Sequence, residues 1–236
     1  MPARNSRLAA IIKRLQKHYG TPEPPPTDDP FELIVWEQVA YLANDTQRVE
    51  AFEQLALRVG LTPEKILAAD DETLLAVTRH GGAIAATDRA ERLRESARLV
   101  KEQWGGDLRR VLREPFVKAR KALTRFASIG EPGAEKILLF TRTHPLLALE
   151  SNGLRVLVRL GYAAEQKNYS ATYRAVGHDV QPELKADFDW LIAAHQLLRQ
   201  HGQEICKRTQ PQCQDCPVND RCAYSQAESI RPFAST

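Results

Sequence analysis

The chain has four cysteines, and all four fall within Cys206–Cys222, in the run CKRTQPQCQDCPVNDRC. Thiols gathered so tightly force that segment to fold as a loop around a shared centre, either as disulfides or as metal ligands. The N-terminus, MPARNSRLAAIIKRLQKHYG, lacks the continuous apolar stretch and cleavage site of a secretory signal. The chain is therefore read as cytoplasmic, where disulfides do not persist, and the loop as a metal site. Structural zinc usually takes two C-x-x-C knuckles separated by a longer insert. Here only Cys213 and Cys216 form such a pair, with Cys206 and Cys222 on short arms either side. A loop of this length can wrap a four-iron cubane in which each iron takes one thiolate. Thiolates are soft donors that suit zinc as well as iron–sulfur, so the spacing alone leaves both open. Lys207, Arg208 and Arg221 stand among the cysteines and offset an anionic centre.

The remaining sequence reads as helix after helix. Leu8, Ile11, Ile12 and Leu15 form one apolar stripe with Gly20 as a stop. GTPEPPPTDDP is a stiff extended linker. Asp29-Pro30 is a cap followed by proline, opening the helix FELIVWEQVAYL. Asn44 to Thr46 cap the next, Thr62-Pro63 opens a short one, and Gly81-Gly82 precedes a long arginine-rich helix ending near Gly105-Gly106. A further helix runs to about Ser128, and others start near Ala134, Asn152, residue 168 and residue 182. No alternating strand or hairpin signal occurs. The expectation is an all-α fold with roughly eleven short helices. No run approaches the roughly 18 apolar residues of a membrane span. Net charge is +3, so a polyanion partner would require the basic side chains to gather on one face. The arginines of DRAERLRESARLVK and LRRVLREPFVKARKALTR fit either two solvated helix faces or a phosphate-facing surface. The six histidines, at 18, 80, 144, 178, 195 and 201, show no ligand spacing and read as structural or surface residues.

The cysteine spacing resembles the [4Fe-4S] loop of the endonuclease III and MutY family of DNA glycosylases. His201-Gly202 before Cys206 is similar to that family's H-G-x-x-x-C run. Asp29 to Leu33 resembles the family's D-P-F/Y entry into its first barrel helix, and Arg79 to Ala90 its G-x-x-x-x-K-A segment with arginine for lysine. IGEPGAEKI resembles the helix-hairpin-helix turn, and LESNGLRVLVRLGY the stretch that holds a catalytic aspartate. The resemblance runs from about Arg7 to Tyr224. It implies two helical domains flanking a DNA-binding cleft. One, at 28-143, would be a six-helix domain ending in the hairpin. The other would join 1-27 to 144-236 and carry a [4Fe-4S] cluster in loop 206-222. It implies double-stranded DNA as partner, action on the bacterial nucleoid, a monomer, and no membrane.

Site residues follow from the same resemblance. Cys206, Cys213, Cys216 and Cys222 would hold the cluster. Ile129, Gly130, Gly133 and Lys136 of the hairpin, with Lys207 and Arg208 of the loop, would meet DNA. Leu42 would wedge into the base stack. Glu37 falls where MutY enzymes place a general acid; it is a mid-helix carboxylate on an otherwise apolar helix, costly unless paired or facing water. The competing reading is an exposed acid beside Gln38. Glu150 falls on the family aspartate, one methylene longer, with Asn152 in support; it could instead merely cap a helix. Glu135 occupies the place of the hairpin lysine of bifunctional enzymes. Lys136 lies one residue on, and about 100° of helical rotation would aim it elsewhere. Glu131 and Pro132 alter the phosphate-binding turn, the first by repulsion and the second by removing an N–H. The expected activity is monofunctional removal of a damaged or mispaired base, without AP-lyase chemistry. The alternative is a DNA-binding, lesion-sensing relative that does not cleave.

Overall fold

The structure is a computed structural model that describes residues 6–23, 25–41 and 43–230. All regular structure among these residues is helical. The chain divides into two compact units, one of Met1–Pro24 with Pro145–Thr236, the other of Pro25–His144.

The discontinuous unit begins with α1 (Arg7–Tyr19), capped by Ser6, whose side chain accepts from the Ala9 N–H. Its expected stripe is real: Leu8, Ile11, Ile12 and Leu15 are each no more than 2% exposed. Burying four such side chains contributes about 6–12 kcal/mol before chain entropy is counted.

Among the described residues the continuous unit holds eight helices. They are α2 (Pro30–Gln38), α3 (Asp45–Arg58), α4 (Pro63–Ala68), α5 (Asp71–His80), α6 (Ala86–Trp104), α7 (Arg109–Leu112), α8 (Phe116–Leu123) and α9 (Glu131–Phe140). Asp29 caps α2 through the Phe31 and Glu32 N–H groups, and Asn44 closes a capping box with Gln47 on α3. α2 packs on α6 and α9, burying Leu33, Ile34 and Val35. It stops at Gln38, short of the helix expected to run to Leu42. After Val39 the backbone turns to Gly81, whose carbonyl accepts from the Tyr41 N–H at 3.1 Å. Only glycine permits this approach, since a Cβ at Gly81 would lie 2.3 Å from the Val39 oxygen. Leu42, the expected wedge, lies outside the described residues. Asp70 caps a separate α5, so two helices stand where one was expected.

One arginine of α6 departs from the expected solvated or phosphate-facing surface. Arg89 is 1% exposed. Its guanidinium donates to the carbonyls of Ile84, Thr78 and Gly82, closing the loop before α6. Thr78 lies in the last turn of α5 and Gly82 and Ile84 in the loop, so the buried guanidinium ties the helix end to the loop through three carbonyls at once.

The discontinuous unit resumes with α10 (Ser151–Leu160), α11 (Tyr169–Val180), α12 (Phe188–Glu204) and α13 (Ala223–Ile230). α12 packs against both α1 and α10. The crossing with α10 requires Gly202, where a Cβ would lie 2.6 Å from the Asn152 carbonyl oxygen. This gives the His201-Gly202 pair a packing reason. α13 was not anticipated; it follows directly on the last cysteine.

Candidate functional site

The cysteine loop leaves α12 through two short 3-10 turns, Cys213–Asp215 and Asn219–Arg221, and ends on α13. None of the four cysteines is in a disulfide among the described residues, and all line a single pocket. Cys222 is buried and the other three are half-buried. Among the described residues, no group of three His, Cys, Asp or Glu converges as one metal ion requires. The four thiols line one space between α10, the loop and α13.

Two arginines that sequence reasoning did not select hold this loop in place. Arg155 donates from Nε to the Cys206 carbonyl at 2.9 Å and from Nη2 to the Gly202 carbonyl at 2.6 Å. Burial works against its charge, and the nearby Cys206 works for it. Arg159, one turn further along α10, donates to the carbonyls of Lys207 and Arg208, at 2.7 and 3.1 Å, and to Cys206 Sγ at 3.3 Å. Its guanidinium also lies 4.7 Å from the centre of the Tyr224 ring. The available signal was their i, i+4 spacing on the helix that follows Glu150, pointing both at one neighbour. His201, 1% exposed, bridges α1 and the loop: Nδ1 is 3.0 Å from the Tyr19 hydroxyl and Nε2 is 3.5 Å from Cys216 Sγ. Burial draws His201 down to about 4, so it is neutral at neutral pH. Burial also pushes the Cys216 thiol up to about 11. Lys207 and Arg208 are both exposed.

Glu150 stands at the N-terminus of α10 as its cap. Oε1 accepts from the Gly153 N–H at 2.6 Å, and Oε2 accepts from Asn152 Nδ2 at 2.8 Å. Asn152 Oδ1 in turn accepts from Arg155 at 2.8 Å. Arg155 thereby links the carboxylate to the cysteine loop through one amide. Glu150 is only half-buried, and the helix N-terminus favours its negative charge. The site is a fixed carboxylate with supported geometry.

In the continuous unit, α8 and α9 form a helix-hairpin-helix. Ile129 is 4% exposed and its N–H is spent on the Phe126 carbonyl, so its side chain anchors the turn from below. Gly130 is the exposed N-cap of α9. Gly133 has room for a methyl group, with Ile129 Cγ2 3.6 Å from a Cβ placed there. Pro132 sits in the first turn, where its missing N–H costs no helix bond. Arg120 of α8 faces both acids of α9, at 3.2 Å from Glu135 and 3.8 Å from Glu131. The repulsion expected from Glu131 is therefore offset within the hairpin.

Glu135 and Lys136 do point different ways, but not with the expected result. Glu135 turns to Arg120 on α8, and Lys136 turns to α2, where its Nζ is 2.7 Å from Glu37 Oε1. The two side chains of that ion pair are 20% and 19% exposed. In this contact the ammonium donates and the carboxylate accepts. The pair unites an amine and an acid, the parts needed either to deliver a proton or to attack an electrophilic carbon.

No family model matches the chain. Curated relatives include the endonuclease III of Sulfolobus acidocaldarius, 26% identical over 84% of this chain and 83% of that protein. The thymine-DNA glycosylase of Aeropyrum pernix is 28% identical over 92% of this chain and 95% of its own. Among solved structures, an endonuclease III trapped as a covalent intermediate with DNA matches with a TM-score of 0.74, at 19% identity, over 94% of this chain and 97% of that one. With the motifs carried on the elements described above, the chain is similar in sequence to endonuclease III and thymine-DNA glycosylase over most of its length and shares the endonuclease III fold.

Proposed function

We propose that the protein is a base-excision repair glycosylase that hydrolyses the N-glycosidic bond of a damaged or mispaired base in double-stranded DNA. The observation that carries this reading is the fixed, half-buried carboxylate of Glu150 at the helix position that resembles the family's catalytic stretch. In this role it stabilises positive charge that develops on the sugar or guides water to it. Asn152 and Arg155 hold it in place. The base must first leave the stack.

The thiols of Cys206, Cys213, Cys216 and Cys222 fit a [4Fe-4S] cluster, because they are soft donors arranged around one pocket. The four cysteines would hold such a cluster, and their bonds to it would cross-link the loop. Arg159 supplies a hydrogen bond to Cys206 Sγ, and Arg155 fixes the loop's first carbonyl.

The reaction is proposed to be hydrolytic. Glu135, paired with Arg120, offers no amine at the hairpin-lysine position. A second reading is favoured by one contact, since Lys136 offers its amine beside Glu37. Borohydride reduction during turnover separates the two. The hydrolytic reading predicts no covalent protein–DNA adduct. An adduct that disappears in Lys136→Ala replaces it with Schiff-base lyase chemistry.

A further inference from the structure

Gln38 is the last residue of α2 and is 2% exposed. The other buried residues of α2 are apolar: Pro30, Phe31, Leu33, Ile34 and Val35. A buried amide is costly in such surroundings unless its oxygen and its nitrogen are both bonded. Both ends of Gln38 are bonded. Ser96 of α6, also 2% exposed, donates from Oγ to Gln38 Oε1 at 2.9 Å, and Gln38 Nε2 donates to the Ala127 carbonyl at 2.8 Å. Two hydrogen bonds thus run from α6 through the end of α2 to the turn that joins α8 to α9.

That turn is held from beneath. Ala127, Ser128 and Gly130 are exposed, whereas Phe126 and Ile129 are buried. Phe126 stacks on Trp104 of α6, ring centres 5.8 Å apart and planes 29° from parallel. Ser128 sits at φ +70°, a left-handed backbone that costs a serine energy and persists because its surroundings impose it. The Ala127 carbonyl and the Ser128 N–H share one peptide plane, so the bond from Gln38 fixes the plane that enters this conformation. Beyond the turn, Glu37 meets Lys136 of α9 at 2.7 Å. Two consecutive residues of α2 therefore grip the hairpin on either side of its turn.

We propose that Gln38, buttressed by Ser96, is a positioning residue for DNA binding, which sets the hairpin turn in its docking conformation before the duplex arrives. The inference rests on the repair function proposed above, with the hairpin as a DNA contact. Packing alone has no use for an amide here, since an unbranched apolar side chain of equal length fills the same space. A turn ordered in advance loses less conformational freedom on binding, so the contribution is to affinity and not to the rate of bond breaking.

The test compares the parent with Gln38→Met, which keeps the side chain's length and removes both hydrogen bonds, each protein full-length and iron-loaded. Affinity for an unmodified fluorescent duplex is read by anisotropy. Base release is measured at saturating protein on uracil, alkylated, oxidised and mismatched duplexes. Gln38→Met should bind roughly 3- to 10-fold more weakly, the equivalent of one hydrogen bond, and release base at saturation within about twofold of the parent. Exchange of the Ile129 amide, which donates to the Phe126 carbonyl at 3.1 Å, should quicken by about the same 3- to 10-fold factor. Ser96→Ala should weaken binding in the parent and add nothing in Gln38→Met, because the hydroxyl acts through the amide. The double variant also leaves no serine hydroxyl unpaired, so it reports the same effect if Gln38→Met folds poorly. Ile66→Val trims the fully buried interior of α4 and should lower the melting temperature without changing affinity. Parent-like affinity in Gln38→Met overturns the proposal, as does an equal loss in Ile66→Val, or a loss at saturation larger than the loss in affinity. Weak binding and fast exchange in Gln38→Met, with no base released by the parent, sink the glycosylase reading and leave the positioning role standing. Base release by the parent with unchanged binding in Gln38→Met does the reverse.

Discussion

Glu150 combines two roles that substitution can separate. As the cap of α10 it accepts from the Gly153 N–H at 2.6 Å and from Asn152 at 2.8 Å. Glu150→Gln keeps a carbonyl oxygen for the Gly153 N–H and loses the charge. The cost to folding is the charge–dipole contribution, about 0.3–1 kcal/mol, together with the hydrogen bond from Asn152 Nδ2, which the glutamine nitrogen cannot accept, about 0.5–1.5 kcal/mol. Glu150→Ala removes the cap outright, at about 0.5–2 kcal/mol. For a chain of this size about 1 kcal/mol corresponds to a change of roughly 2–4 °C in Tm. Catalysis should order the variants differently. A carboxylate that stabilises a cationic sugar contributes electrostatically, and loss of one such group typically costs about 10²–10³ in rate. Glu150→Gln should therefore melt within about 10 °C of the parent yet excise at least roughly a hundredfold more slowly in a single-turnover assay. Glu150→Ala should be as slow and measurably less stable. The assay needs calorimetry and rapid-quench measurement of abasic product on the same preparations. If Glu150→Gln excises within about twofold of the parent, far inside the expected loss, Glu150 is a helix cap and nothing more.

Three further outcomes follow from the geometry. Arg120→Met removes the cation that faces Glu135, 8% exposed, and Glu131 on α9. It should cost about 1–3 kcal/mol, less than a fully buried pair because Arg120 is partly exposed, and Arg120→Met/Glu135→Gln should recover much of it in urea titration. Gly202→Ala places a methyl 2.6 Å from the Asn152 carbonyl and should cost about 1–3 kcal/mol or more by forcing α12 off α10; an unperturbed urea midpoint contradicts that crossing. Removal of iron from the purified protein should expose residues 206–222 to limited proteolysis before any helix is cut, because the iron–thiolate cross-link no longer holds the loop. Equal resistance with and without iron argues against a structural cluster.

Much of the helical frame was legible because the punctuation is local. Asp29-Pro30, Asn44 and Thr62-Pro63 each cap or open a helix using only neighbouring residues. Where tertiary contact decides, the sequence was silent. α2 ends early because its chain is drawn to Gly81, more than forty residues away in sequence. Arg89 looked like one more solvated arginine on α6, and its burial depends on the carbonyls of a loop that only the fold brings beneath it. The candidate site shows the same division. The four thiols could be read from spacing alone, and the arginines that hold their loop could not, since Arg155 and Arg159 reach it from a helix about fifty residues earlier. A rotation of about 100° does separate Lys136 from Glu135. What periodicity omits is which neighbour each face meets, α8 for Glu135 and α2 with Glu37 for Lys136.

The most direct test of base excision is a single-turnover panel with iron-loaded protein and duplexes carrying uracil, alkylated, oxidised and mismatched bases. Free base should be released from at least one duplex, leaving a strand that breaks only after alkali. Tight binding to every duplex with no base released from any would contradict a glycosylase.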